Sequence, residues 1–346
     1  MGICNSITKK PVKTAPEPVK EKRVNPHSTI SGEKNTIVIK HIGEIHGDMV
    51  KIDTCVNSTI IILDISSQVI ITECRNCNIF VAPCIGSVSL RKSEGINLIS
   101  ASSQLRCTDL TNSKAAIYVN TQPALEKTKN LSIGCFFFSY IELPDLFTKA
   151  ALNVWNNLWS EVHDFTPAST NVNYTYFNPK EDSKFKSDFI NALKDQDINI
   201  DEYFPVPFTK GRSMNFNETF SHAFLIVKDD TVDRKFYDHI ADDTLTRLIK
   251  TVHMEKNNAN LNLIQSALRH NGQEEKNEFF SVLNKSTNNM SKEGYVLFWL
   301  VDDKDKFFAL TEYFMNEMTE NFLLLTEQDL GKMQELVKKV FKGFDK

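Results

Sequence analysis

The chain has 346 residues and a mass of 39.5 kDa, with 41% hydrophobic residues, 24% charged residues and a net charge of -4. That length accommodates about two domains of ordinary size, and the balance excludes a largely disordered chain and a broadly basic nucleic-acid binder. The seven cysteines all precede residue 136, too few for a secreted disulfide framework, which indicates a reduced, cytosolic chain whose first half differs in kind from its second.

The chain opens Met1-Gly2-Ile3-Cys4-Asn5-Ser6, which fits the pattern for myristoylation of Gly2 once Met1 is removed, with Cys4 placed for a palmitoyl chain. One myristoyl chain binds a membrane only reversibly, so a second acyl chain or a basic patch is needed for stable anchoring. From Met1 to His27, six Lys and Arg residues stand against Glu17 and Glu21, a balance of +4 suited to anionic lipid. Pro11, Pro16, Pro18 and Pro26 favour an extended stretch. Residues 1–34 are expected to form a lipidated, basic tether, and no run approaches the ~18 apolar residues of a membrane span.

From Asn35 the texture changes to short β-rich runs. A turn-forming Asn or Gly recurs two residues after an anchor: Cys55-Val56-Asn57, Cys74-Arg75-Asn76, Ser93-Glu94-Gly95, Leu110-Thr111-Asn112 and Thr128-Lys129-Asn130, with anchors 19, 19, 17 and 18 residues apart. Most copies lead into an apolar strand, such as Ile60-Ile61-Ile62 or Ile79-Phe80-Val81. A turn and a strand repeating at this period predict a mainly β domain, a right-handed parallel β-solenoid of about five coils from roughly residue 35 to 135. The pair Cys74 and Cys77 lacks a second C-x-x-C partner, so stacked, buried cysteines are expected rather than a metal site.

Phe147, Ala150, Ala151, Val154, Trp155, Leu158 and Val162 recur at three- and four-residue spacing, which predicts an amphipathic helix over Glu142 to Val162 that covers the solenoid and completes a domain over 35–170. Trp155 and Trp159 are expected in its core, and His163-Asp164 in a structural role. Residues 171–220 read as a polar connection. Over 221–346, strands Ala223 to Val227, Leu245 to Val252, Tyr295 to Val301 and Phe322 to Leu325 alternate with helical segments, which predicts an α+β domain of ferredoxin-like character. No phosphate-binding glycine loop or dinucleotide fingerprint occurs, so no cofactor of the chain's own is expected.

Chemistry concentrates at Ser103-Gln104-Leu105-Arg106. If Leu105 points inward, strand alternation places Gln104 and Arg106 together on the outer face. Glu126 follows Arg106 by 20 residues, about one coil, where it is placed to orient the guanidinium. An oriented, exposed arginine suits a GTPase activator, and the same spacing also fits a surface ion pair worth ~0 to 1 kcal/mol.

The segments Cys74 to Ile79, Gly86-Ser87-Val88, Gln104-Leu105-Arg106, Gln122-Pro123-Ala124-Leu125-Glu126, Gly134-Cys135-Phe136 and Trp155 to Pro167 together resemble the retinitis pigmentosa protein two family, which is related to tubulin-folding cofactor C. The Met-Gly-x-Cys start and Tyr203-Phe204-Pro205-Val206-Pro207 fit as well. The resemblance implies a GTPase-activating protein for the Arf-like protein three, linked to release and trafficking of lipidated cargo in cilia. Arg106 would be the arginine finger, Gln104 the supporting glutamine and Glu126 the acidic partner, with GTP and Mg²⁺ bound by the GTPase and not by this chain. At position 103 the family usually has a second glutamine where this chain has Ser103. A location on the plasma membrane at the cilium base is implied through Gly2 and Cys4. Tubulin is the alternative partner, and a non-catalytic scaffold for the GTP-bound GTPase is the alternative role. No nucleic acid is expected to bind. The family's C-terminal domain looks like nucleoside diphosphate kinase, but His270-Asn271-Gly272 is only a fragment of that enzyme's histidine neighbourhood, and no kinase activity is expected.

Overall fold

In the computed structural model, parallel strands wind from Thr29 to Tyr176 into a solenoid of about six turns. The structure describes residues 25–209 except 155, 169–171, 195–197, 199, 201–204 and 207; beyond these it describes the strands 222–229, 246–255, 293–301 and 322–325. Two rows of strands build the solenoid. The first runs β1 (Thr29–Ser31), β3 (Met49–Asp53), β5 (Gln68–Thr72), the later part of β6 (Asn78–Glu94), the middle of β7 (Asn97–Val119), β8 (Ala124–Glu126) and β10 (His163–Asp164). The second runs β2 (Ile37–Lys40), β4 (Thr59–Ile62), the start of β6, then β7, β9 (Lys129–Cys135) and β11 (Tyr174–Tyr176).

Strand register reproduces the sequence repeat. Val50 lies opposite Val69, Val69 opposite Val88, Val88 opposite Leu105 and Arg106 opposite Ala124, offsets of 19, 19, 17 and 18 residues. The shortening to 17 is taken up at two irregularities between Val81 and Ser87, so the strands on either side stay aligned.

Each coil turns at two residues, three apart, in the left-handed region: Gly32 and Asn35, Thr54 and Asn57, Glu73 and Asn76, Lys92 and Gly95, Asp109 and Asn112, and Lys127 and Asn130, all with φ between 48° and 74°. The anchors Cys55, Cys74, Ser93, Leu110 and Thr128 lie between them and are buried, the two cysteines as expected. Outside, Asn57 Nδ2 donates to Asn35 Oδ1 (3.2 Å), Asn76 Nδ2 to Asn57 Oδ1 (3.3 Å) and Asn130 Nδ2 to Asn112 Oδ1 (2.8 Å). Asparagine suits both tasks, because it tolerates left-handed φ and carries a donor and an acceptor for stacking.

The rows differ in burial. In the first, residues alternate between inward and outward, as in β5, where Val69 and Ile71 are buried and Gln68, Ile70 and Thr72 are half-buried. In the second, Ile60, Ile62, Ile79 and Val81 fill the solenoid interior, whereas Ile61, Phe80 and Ile99 face a covering layer formed by Phe136, Phe138, Tyr140, Phe147, Phe185 and their neighbours. Burial on both sides explains its unbroken apolar runs.

That layer departs from the expected helix over Glu142 to Val162. Among the described residues of that stretch only α1 (Leu143–Lys149) is helical, and Ala151 turns left-handed at φ 54°. The chain then runs along the strand edge: Leu158 N donates to Val119 O (2.8 Å), Asn157 Oδ1 accepts from Val119 N (3.1 Å) and Asn157 Nδ2 donates to Ile117 O (3.3 Å). Satisfying this edge replaces the hydrogen bonds a longer helix would have made. Trp159 is buried as expected, its Nε1 donating to Thr209 Oγ1 (2.8 Å); Trp155 lies outside the described residues.

Within the stretch read as a polar connection, β11 pairs with β9, and α2 (Ser183–Leu193) buries Phe185 and Phe189 in the covering layer. Asp182 caps α2 through Phe185 N (3.0 Å) and pairs with Lys114 Nζ on β7 (2.5 Å). Farther on, β12 (His222–Asp229), β13 (Thr246–Glu255), β14 (Glu293–Val301) and β15 (Phe322–Leu325) form a four-stranded antiparallel sheet in the order β13-β14-β12-β15. All four coincide closely with the strands expected from sequence, while the expected helical segments between them lie outside the described residues.

Two outcomes follow for stability. A Cβ on Gly95 would stand 2.4 Å from Asn76 Oδ1 at a backbone φ of 65°, so Gly95→Ala is expected to lower urea-denaturation stability by about 1–3 kcal/mol. The Lys114 ammonium and the Phe185 N–H hold the Asp182 carboxyl below its usual range. A depressed folded value gives stabilisation that is full above the unfolded value of ~3.9 and is lost as pH falls through the lower folded one. Asp182→Ala should therefore cost about 1 kcal/mol near neutral pH, with the difference from the native protein shrinking in acid-denaturation curves below the unfolded value.

Candidate functional site

Among the sheet surfaces of the solenoid, the outer side of the first row is the one that the covering layer leaves open. Leu105 and Cys107 point inward and are buried, which turns Gln104, Arg106 and Thr108 outward, as the alternation predicts. Arg106 is exposed, and its Nε donates to Gln104 Oε1 at 2.8 Å. Using Nε for this bond leaves both terminal amino groups of the guanidinium available to a ligand.

Glu126 also faces outward, but it does not orient Arg106. Its register partner is Thr108, two residues beyond Arg106, whose own partner is Ala124. Arg106 forms no ion pair among the described residues. The guanidinium is steered along its own strand by Gln104, and Glu126 is left as an exposed carboxylate beside it. Ser103 is tied to the preceding coil, donating through Oγ to Ile85 O (2.7 Å), while its own carbonyl accepts from Thr121 N (3.1 Å) and Thr121 Oγ1 (3.0 Å). The departure at this position thus serves the turn that leads into Gln104.

One further residue beside the site has no role that its sequence pattern predicts. Phe165 is 64% exposed; its N–H donates to Leu125 O (2.8 Å) just past β10, and its ring meets that of His163 with centroids 4.4 Å apart. His163 itself lies opposite Ala124, the neighbour of Arg106. The signal was a single phenylalanine set between Asp164 and Thr166-Pro167, a polar turn with no apolar partner nearby. Asp164 has the structural role expected, accepting from Thr166 N (2.9 Å) and Asn173 Nδ2 (2.7 Å).

The six described cysteines are buried, and several thiols donate to corner carbonyls, Cys77 Sγ to Arg75 O at 3.3 Å among them. Burial pushes the Cys74 and Cys107 thiols up to about 12 and Cys135 to about 11. Gly2, Cys4 and His270 lie outside the described residues.

Residues 47–165 match the tubulin binding cofactor C family. This span holds every residue placed on the open face above. The chain carries a tubulin binding cofactor C domain. Relatives named Protein XRP2 are 33% identical over 204 residues in Danio rerio, covering 56% of this chain and 52% of the relative, and 32% identical over 180 residues in Homo sapiens, covering 52% and 47%. A Bos taurus relative named tubulin-specific chaperone C is 24% identical over 180 residues, covering 51% of this chain and 52% of its own length. The chain spans about half the length of the curated relatives it matches. The resemblance read from the motifs is thereby borne out.

Because the thiolate is the reactive form, iodoacetamide at neutral pH is expected to spare the six described cysteines in the native protein and to label them in denaturant, as read by mass spectrometry. Fast labelling at Cys107 or Cys135 in the native state would contradict the packing described.

Proposed function

We propose that the cofactor C domain is a GTPase activator that supplies Arg106 in trans to an Arf-like small GTPase, the Arf-like protein three. The observation that carries this reading is the exposed guanidinium held through Nε by Gln104. Phosphoryl transfer proceeds through a loose transition state with charge spread over the phosphoryl oxygens, so a positioned cation lowers the barrier without other chemistry. The partner brings GTP and Mg²⁺. Gln104 restricts the side chain before the partner arrives, which lessens the ordering cost of insertion. Glu126 and Phe165 flank the finger as polar and apolar contacts for the partner's surface. Relatives named Protein XRP2 support the choice of GTPase.

The reading extends to the rest of the chain. Acyl chains at Gly2 and Cys4, with the basic tether, would hold the domain on the cytoplasmic face of the plasma membrane at the cilium base, near lipidated cargo. The solenoid's hand is taken as right-handed, as in ~98% of parallel crossover connections. The order of β12 to β15 and their antiparallel pairing support a ferredoxin-like C-terminal domain. Tubulin is the second reading for the partner, favoured by the bovine relative's name.

Single-turnover GTP hydrolysis by the Arf-like GTPase, with tubulin in parallel, tests the reading. Arg106→Ala should lower the stimulated rate by roughly 10³-fold or more while binding persists, and Gln104→Ala by a smaller factor. Binding by the native chain without stimulation would establish a scaffold instead.

A further inference from the structure

Arg91 lies on the same outer face as Arg106, one coil earlier. Its register partner is Thr108, whereas Arg106 pairs with Ser89. One strand across and two residues along put the two arginine backbones ~8 Å apart. Arg91 is exposed and has no side-chain hydrogen bond or ion pair among the described residues. Thr72 and Thr108 stand opposite it on the neighbouring coils. The nearby carboxylates Asp53 and Glu73 are engaged by Lys51 (3.7 Å) and Lys92 (3.9 Å).

We infer that Arg91 is a docking cation that recognises an acidic surface on the small GTPase and acts on association, while Arg106 acts on hydrolysis. The inference rests on the reading of this face as a GTPase site. The difference between the arginines is geometric. Arg106 is pre-set by Gln104, as insertion into a nucleotide site requires, whereas Arg91 has no such tie among the described residues. An untethered cation among neutral hydroxyls contributes long-range attraction and little positional specificity.

The test measures the activator concentration at half-maximal stimulation, the saturating hydrolysis rate, and the Kd for the GTP-loaded GTPase at low and high salt. Arg91→Thr places in this coil the residue already found at 72 and 108, so the strand is kept. Arg91→Thr should raise the half-saturating concentration and Kd roughly tenfold at low salt, and Arg91→Glu further, with the gap narrowing as salt screens the attraction. Arg91→Lys should restore native values, since a docking charge needs no guanidinium geometry. The saturating rate should be unchanged in all three. Unchanged affinity in Arg91→Glu, or a fall in saturating rate at native affinity, would overturn the inference. Binding without stimulation by the native chain would overturn the activator reading alone, with the Kd series still deciding Arg91. No binding by the native chain would overturn both.

Discussion

The turn at each corner, two left-handed residues three apart, is the constraint on which the solenoid rests. It sets the step from coil to coil. Backbone N–H groups at the corner donate to the carbonyls of the next coil, as Asn57 N does to Arg75 O (3.0 Å) and Asn76 N to Glu94 O (2.9 Å). Stacked asparagine amides reinforce this outside, and Cys55, Cys74 and their successors fill the inside. Where Gly95 replaces asparagine, the ladder of amides is interrupted, and Asn112 bonds instead to Glu94 (3.3 Å).

From this regular step follows the division of labour between the two rows. The second row is enclosed by the solenoid interior on one side and the aromatic layer on the other, which commits nearly every residue of Ile79-Phe80-Val81 to packing. The first row is packed on one side only. Its outward positions are released from the core, and there the chain places Gln104, Arg106 and Glu126 on a sheet whose backbone is fixed by neighbours on both edges. A pre-set side chain on a rigid strand is what a positioning role requires.

Much of this was legible in the sequence, for identifiable reasons. Asn57, Asn76, Gly95, Asn112 and Asn130 signalled the corners because few residues tolerate left-handed backbone. The partner positions Thr54, Glu73, Lys92 and Lys127 gave no such signal, since none is characteristic of that conformation; only Asp109 is of a type that enters it readily. The stretch after Lys149 was read as helix because apolar residues three and four apart describe equally a helix and an irregular segment laid against a sheet; the left-handed Ala151 is invisible in sequence. Glu126 was placed on the correct face, because its separation of 20 residues exceeds the local register offset of 18 by an even number. The same excess moved it along the strand, away from Arg106. Phe165, quoted only within the segment Trp155 to Pro167, had no place on the face because the strand just before it has only two residues.

The irregularities between Val81 and Ser87 bear on how such a surface tolerates change. The coil that leads to Arg106 is two residues shorter than the one before it, yet Leu105 still meets Val88 and Arg106 still meets Ser89. The slack is absorbed at the side where β6 bends from one row to the other. Insertions and deletions confined to that bend alter the length of a coil while leaving every address on the outer face intact. The open face behaves as a lattice with fixed spacings, in which a functional group changes position only by whole strands or by pairs of residues, and never by drifting between them.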